Sequence, residues 1–120
     1  RIGYVAKEIT KNGGVAVCAP IAPFKATRET VKRMIESVGA YIEIHVSTPI
    51  ETCEARDRKG LYAMARAGKI KDFTGIDSPY EIPENPQRRI DTSEHSMNEA
   101  VKIVIDELHR TGLLKRTPQT

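Results

Sequence analysis

Apolar positions recur every three to four residues at the start of the chain, at Ile2, Val5, Ala6 and Ile9. That spacing predicts a helix over residues 1–12, with Lys7, Glu8 and Lys11 off its apolar stripe. Asn12-Gly13-Gly14 stops it, because these residues tolerate a left-handed backbone. The period then changes. Val15 to Ala19 is a continuous apolar run, and between a helix and two prolines it predicts a buried parallel strand. Pro20-Ile21-Ala22-Pro23-Phe24 follows directly, and prolines three apart impose an extended loop with few free donors. Such a loop leaves the carboxyl end of a central strand, where open α/β sheets place their ligands. A plain strand-to-helix connection fits the same residues.

Helical spacing returns at Val31, Met34, Ile35 and Val38, with Thr27 as the expected cap, Glu29 in the first turn and Gly39 at the end. Tyr41 to Val46 alternates, which predicts a second strand. Ile42, Ile44 and Val46 fall on its apolar face, and Tyr41, Glu43 and His45 on a wetter one. His45 reads as an ordinary strand residue, not a ligand. Thr48-Pro49-Ile50-Glu51 has the form of a capping box with Pro at the first helical position, opening a short helix that turns Cys53 inward. Three prolines between Ser78 and Pro86 predict an extended excursion. Arg88 to Asp91 fits a short third strand. Ser96-Met97-Asn98-Glu99 is another capping box, before an amphipathic helix through Val101, Val104, Ile105 and Leu108 that ends near Thr111-Gly112. Helix and strand thus alternate, which predicts an α/β fold, a mostly parallel sheet with helices on both faces.

Composition narrows the class. The chain has 120 residues, 39% hydrophobic and 29% charged, with mean hydropathy −0.42, as expected of one soluble domain. No apolar run approaches the roughly 20 residues of a membrane span. No signal-peptide pattern opens the chain, so a cytoplasmic protein is expected. Cys18 and Cys53 lack CxxC spacing and read as free buried thiols. A formal charge of +3 is too modest to argue for nucleic acid. A nucleic-acid module would also need several spaced aromatics on a basic face, and the chain has two Phe, four Tyr and no Trp.

The charge is unevenly placed. Residues 56–77 carry six Lys/Arg (Arg56, Arg58, Lys59, Arg66, Lys69, Lys71) against three Asp, so this stretch alone accounts for the net +3. Gly60, Gly68 and Gly75 divide it, and Phe73 is its only Phe. The pattern suggests a mobile flap over an anion. A solvated helix and loop is the plainer alternative.

Arg56-Asp57-Arg58-Lys59-Gly60-Leu61-Tyr62, Ala65-Arg66-Ala67-Gly68, Phe73-Thr74-Gly75-Ile76-Asp77, Tyr80 and Pro83-Glu84-Asn85-Pro86 together resemble adenylylsulfate kinase. Ile2 to Lys7 and Cys18 to Phe24 fit the same family. The resemblance spans residues 1–113, with a lid at 56–77 and a polar tail at 114–120. It implies a P-loop kinase-type three-layer sandwich. It further implies transfer of the γ-phosphoryl group of ATP to the 3′-hydroxyl of adenosine 5′-phosphosulfate (APS), giving PAPS in sulfate assimilation. Mg²⁺, a homodimer and frequent fusion to ATP sulfurylase come with it; nucleic acid and membrane do not.

Carried onto this chain, the resemblance gives Ile21, Ala22, Lys59, Asp72 and Phe73 to APS, with Phe73 stacked on its adenine. It gives Arg56, His95 and Ala100 to ATP. Arg28 matches an arginine that commonly follows the loop, a candidate phosphate or sulfate contact. A cationic flap closing over two polyanionic nucleotides suits phosphoryl transfer, which rests on positioning and electrostatic stabilisation.

Two departures stand out. No GxxxxGK[ST] occurs in the 120 residues, so the phosphate cradle and the metal site are missing from this stretch. The expectation is an N-terminally incomplete kinase domain, inactive by itself; the alternative is a degenerate APS- or PAPS-binding regulatory domain attached to ATP sulfurylase. Ala22 stands where many members carry a serine, the position of a phosphoserine intermediate. Without a hydroxyl, direct in-line transfer is the expected route, and no catalytic residue or metal ligand is assigned.

Overall fold

The computed structural model describes residues 1–114. In chain order its elements are α1 (Ile2–Lys11), α2 (Lys25–Glu36), β1 (Ile44–Val46), α3 (Ile50–Arg56), α4 (Leu61–Arg66), β2 (Arg88–Ile90) and α5 (Met97–Arg110). They fall into two compact units. One holds Arg1–Tyr41 and Gly60–Glu84, the other Ile42–Lys59 and the chain from Asn85 on.

In the first unit α1 packs on α2 around Ala6 and Ile35, both buried. The approach is close at Gly3, where an added Cβ would lie 2.8 Å from Val31 Cγ2. As expected, α1 stops at Asn12-Gly13-Gly14. Gly13 N–H donates to Thr10 O and Gly14 N–H to Ile9 O, with Gly13 at φ 82°, which is a Schellman closure. The same closure ends α4 at Gly68 and α5 at Gly112.

The run from Val15 to Ala19 does not form the expected strand. It is without regular structure, and Val17 is 91% exposed. A strand's backbone groups need a neighbouring ladder, and among the described residues of this unit no strand supplies one. Nor is Thr27 the cap of α2. The helix begins at Lys25 behind Phe24, with no side-chain cap.

The second unit is built on a two-stranded parallel sheet in which Ile44, His45 and Val46 pair with Arg88, Arg89 and Ile90. The expected third-strand segment is therefore a strand, and the parallel pairing is as predicted. Gln87 N–H to Glu43 O and Ser47 N–H to Ile90 O continue the ladder at either end. The faces of β1 are the reverse of the expectation: His45 is buried and Val46 is 62% exposed. Alternation separates two faces but does not say which one the fold covers. Thr48 does not cap α3 through its side chain, which starts behind Pro49. Its hydroxyl instead accepts the Thr92 N–H at 2.9 Å and lies 2.6 Å from the Thr92 hydroxyl.

On α5 the capping box is present as predicted. Glu99 N–H donates to Ser96 Oγ, and Ser96 N–H to Glu99 Oε1. Glu107 is buried and couples this helix to β2. It accepts Arg110 from its own helix, and Arg88 of β2 lies 3.7 Å away. The Arg110 hydrogen bond, with Arg88 adding charge, holds its carboxyl below the usual range. The 114–120 tail falls outside the described residues apart from Leu114. Among the described residues no helix is long and apolar enough to cross a membrane.

Candidate functional site

In the first unit the expected ligand loop, Pro20 to Phe24, has no regular structure. Ala22 sits at φ 47°, in the left-handed region that a Cβ disfavours. Arg28, buried on α2, holds it there. One guanidinium nitrogen donates to Ala22 O at 2.7 Å and another to Glu81 O at 2.5 Å. The Tyr80 ring lies under the same group, 5.8 Å from centroid to Cζ. Glu81 N–H donates to Pro23 O, and Lys25 Nζ to Glu84 at 3.1 Å, so two stretches without regular structure are laced together. The Glu84 hydrogen bond and charge raise the Lys25 pKa. Arg28 thus spends two donors on protein carbonyls.

Phe73 is set by a turn. Asp72 has φ 55°, and the Asp77 carboxylate accepts the N–H of Asp72 at 2.8 Å and of Phe73 at 2.5 Å. Those backbone donors hold the Asp77 carboxyl below its usual range. Phe73 O in turn accepts the N–H groups of Ile76, Asp77 and Ser78. The Phe73 ring is half-buried, met edge-on by Tyr62 of α4 at a centroid distance of 5.0 Å and an angle of 71°. Ile21 and Asp72 are exposed, and Ala22 is partly covered.

The other residues expected at the site belong to the second unit. Arg56, at the end of α3, donates to Thr92 Oγ1 at 2.7 Å and to Thr92 O at 3.1 Å. Thr92 is fixed by Thr48, so the threonine pair positions the arginine. Asp91 is held below the usual carboxyl range, first by Ser93 hydrogen bonds and then by the charges of Arg56 and His95. Ala100 lies in the first turn of α5, its N–H bonded to Ser96 O. Lys59 is exposed, two residues past Asp57 at φ 26°. The boundary between the compact units falls between Lys59 and Gly60, inside the stretch expected to act as a lid.

Asp77, Tyr62, Thr92 and the Arg28 bridge escaped the sequence reading. Asp77 gave no Asx-turn signal, because its carboxylate accepts N–H groups four and five residues earlier rather than two residues on. Arg28 was marked only by its place after the loop, and neither its reach to Glu81, 53 residues on, nor that of Thr92 to Arg56 and Thr48, 36 or more residues away, carried a local signal.

Comparison with known proteins decides the family. The adenylylsulphate kinase family matches residues 1–91 of the chain.

The chain belongs to the adenylylsulphate kinase family.

It is 45% identical over 115 residues to an adenylyl-sulfate kinase of Synechococcus, covering 96% of this chain and 64% of that one. It is 46% identical over 114 residues to a sulfate adenylyltransferase of Phaeosphaeria nodorum, covering 95% of this chain but 20% of that one. The chain thus spans less than two thirds of either relative. Its backbone superimposes on the Mycobacterium tuberculosis APS kinase in complex with AMPPNP and APS, with a TM-score of 0.85 at 38% identity. That match covers 89% of this chain and 62% of the other. The fold class is accordingly that of the P-loop kinases, an α/β domain with a parallel sheet, as the sequence predicts.

Proposed function

We propose that this chain is the part of an adenylylsulfate kinase that binds and orients APS and the adenine end of ATP. The reaction is transfer of the ATP γ-phosphoryl group to the 3′-hydroxyl of APS. The 3′-oxygen forms the new bond to phosphorus, the bond from the γ-phosphorus to the β–γ bridging oxygen breaks, and ADP leaves. The hydroxyl proton passes to solvent or a base. Ala22 has no hydroxyl to carry a phosphoryl group, so transfer is direct.

The observation that carries this reading is the Phe73 turn. In a member of this family, the one Phe of the most basic stretch of the chain has its backbone N–H held by the Asp77 carboxylate. Phe73 stacks on the APS adenine, and Tyr62 fixes the ring from the side. Asp72, Ile21 and Ala22 line the same ligand. Lys59 supplies charge to the anionic groups. Arg56, His95 and Ala100 serve the adenine end of ATP. Mg²⁺ would supply charge neutralisation at the phosphates. Among the described residues no three His, Cys, Asp or Glu side chains gather to hold a metal, and no step here passes through one. The Phaeosphaeria relative's name supports an attached or associated ATP sulfurylase. A homodimer and a cytoplasmic location complete the reading; Cys18 and Cys53 are free, as expected, but Cys18 is exposed and Cys53 only partly covered, so neither is the buried thiol their apolar neighbours predicted.

The test is a coupled assay of ADP release by the full-length protein that carries these residues. APS-dependent ADP formation with a 3′-phosphorylated product is expected. ADP release that ignores APS, or none at all, would sink the reading.

A further inference from the structure

Arg28 carries more than its place after the loop suggests. Its side chain is buried, at 8% exposure, and is directed at two carbonyl oxygens and an aromatic ring. The two carbonyls, of Ala22 and Glu81, lie in stretches without helix or ladder to hold them. One of them belongs to a residue at φ 47°, a conformation that persists only where its surroundings over-determine it. A planar guanidinium spans two acceptors in a fixed fork, which an ammonium cannot reproduce. With its carbonyl taken by Arg28, Ala22 has only its N–H to present outward. Among the described residues neither the Ile21 nor the Ala22 N–H has a hydrogen-bond partner.

We propose that Arg28 is a positioning residue for APS. By clamping Ala22 O to Glu81 O it sets the left-handed turn that leaves the Ile21 and Ala22 N–H groups to the ligand. It also ties that loop to the segment that follows the Phe73 turn. Arg28 touches no substrate; it acts through the loop. This rests on the proposed function and adds the origin of its APS-side geometry.

The experiment compares Arg28→Lys and Arg28→Ala with the unaltered full-length protein, measuring KM for APS and for ATP well below the melting temperature of each. Lysine keeps the charge and most of the length, so it reports the lost fork even if the alanine variant fails to fold. KM for APS is expected to rise on the order of ten- to a hundredfold in Arg28→Lys, as for a displaced binding group, with KM for ATP within about twofold. Unchanged APS kinetics in Arg28→Lys, or equal loss for both nucleotides, would overturn the role of Arg28 and leave the kinase assignment standing. No APS-dependent turnover in the unaltered protein would overturn both.

Discussion

Asp77 holds Phe73 by its backbone: one carboxylate oxygen accepts the Phe73 N–H at 2.5 Å, while the other takes the N–H of Asp72. The aromatic is thus aimed by a residue four positions later, through the main chain. Asp77→Ala should free the turn and raise the APS dissociation constant about three- to tenfold, as expected of a modest misplacement, with ATP affinity unchanged. Asp77→Asn keeps an acceptor and should fall between. Titration calorimetry with each nucleotide checks this, and equal affinity in all three proteins would remove Asp77 from the site.

Phe73 and Tyr62 should separate by ligand contact. Loss of base stacking is worth about 1–3 kcal/mol, so Phe73→Ala should weaken APS roughly 5- to 150-fold. Tyr62→Ala leaves the stacking face and removes only its edge support, for a smaller loss in the same direction. Calorimetry again decides, and a Tyr62 effect exceeding that of Phe73 would mean that the wrong ring has been assigned to the adenine.

Acid should loosen the fold from several points at once. Backbone donors hold the Asp77 carboxyl down, Ser93 that of Asp91, Ser96 that of Glu99, and Arg110 that of Glu107. A carboxyl whose folded pKa is depressed stabilises the fold fully above its unfolded pKa, near 4, and loses that contribution as pH falls through the folded value. Stability from these four groups should therefore be flat above about pH 5 and decline progressively below about pH 4. Urea melts across that range test it. A decline centred near pH 6 to 7 would point to the histidines instead.

The two Thr/Ser starts that the sequence treats alike should respond differently. Ser96→Ala removes a formed cap and should cost about 0.5–2 kcal/mol. Thr27→Ala touches an exposed residue inside α2 that caps nothing, and should stay within about 0.5 kcal/mol. Equilibrium unfolding of both variants gives the comparison directly.

What the sequence determined by itself was local. The 3.6-residue period fixed α1, α2 and α5 because one helical face must be apolar whatever it meets. Gly13 and Gly112 closed their helices because left-handed backbone is a property of the residue itself. The Ser96–Glu99 box formed because both partners lie within one turn. The basic run and its Phe were equally visible, and so was the family they resemble.

The tertiary structure decided whatever depended on a partner far along the chain. Val15 to Ala19 has a strand's composition, yet no strand of its unit lies beside it, and composition cannot supply hydrogen-bond acceptors. His45 turned inward because the cover over a strand, not its alternation, selects the buried face. Thr48 gave up a local cap for Thr92, 44 residues away. Arg28 became a clamp only when Glu81, 53 residues on, came within reach of its second nitrogen. Local periodicity carries none of these, because a side chain's partner is set by where the fold returns the chain.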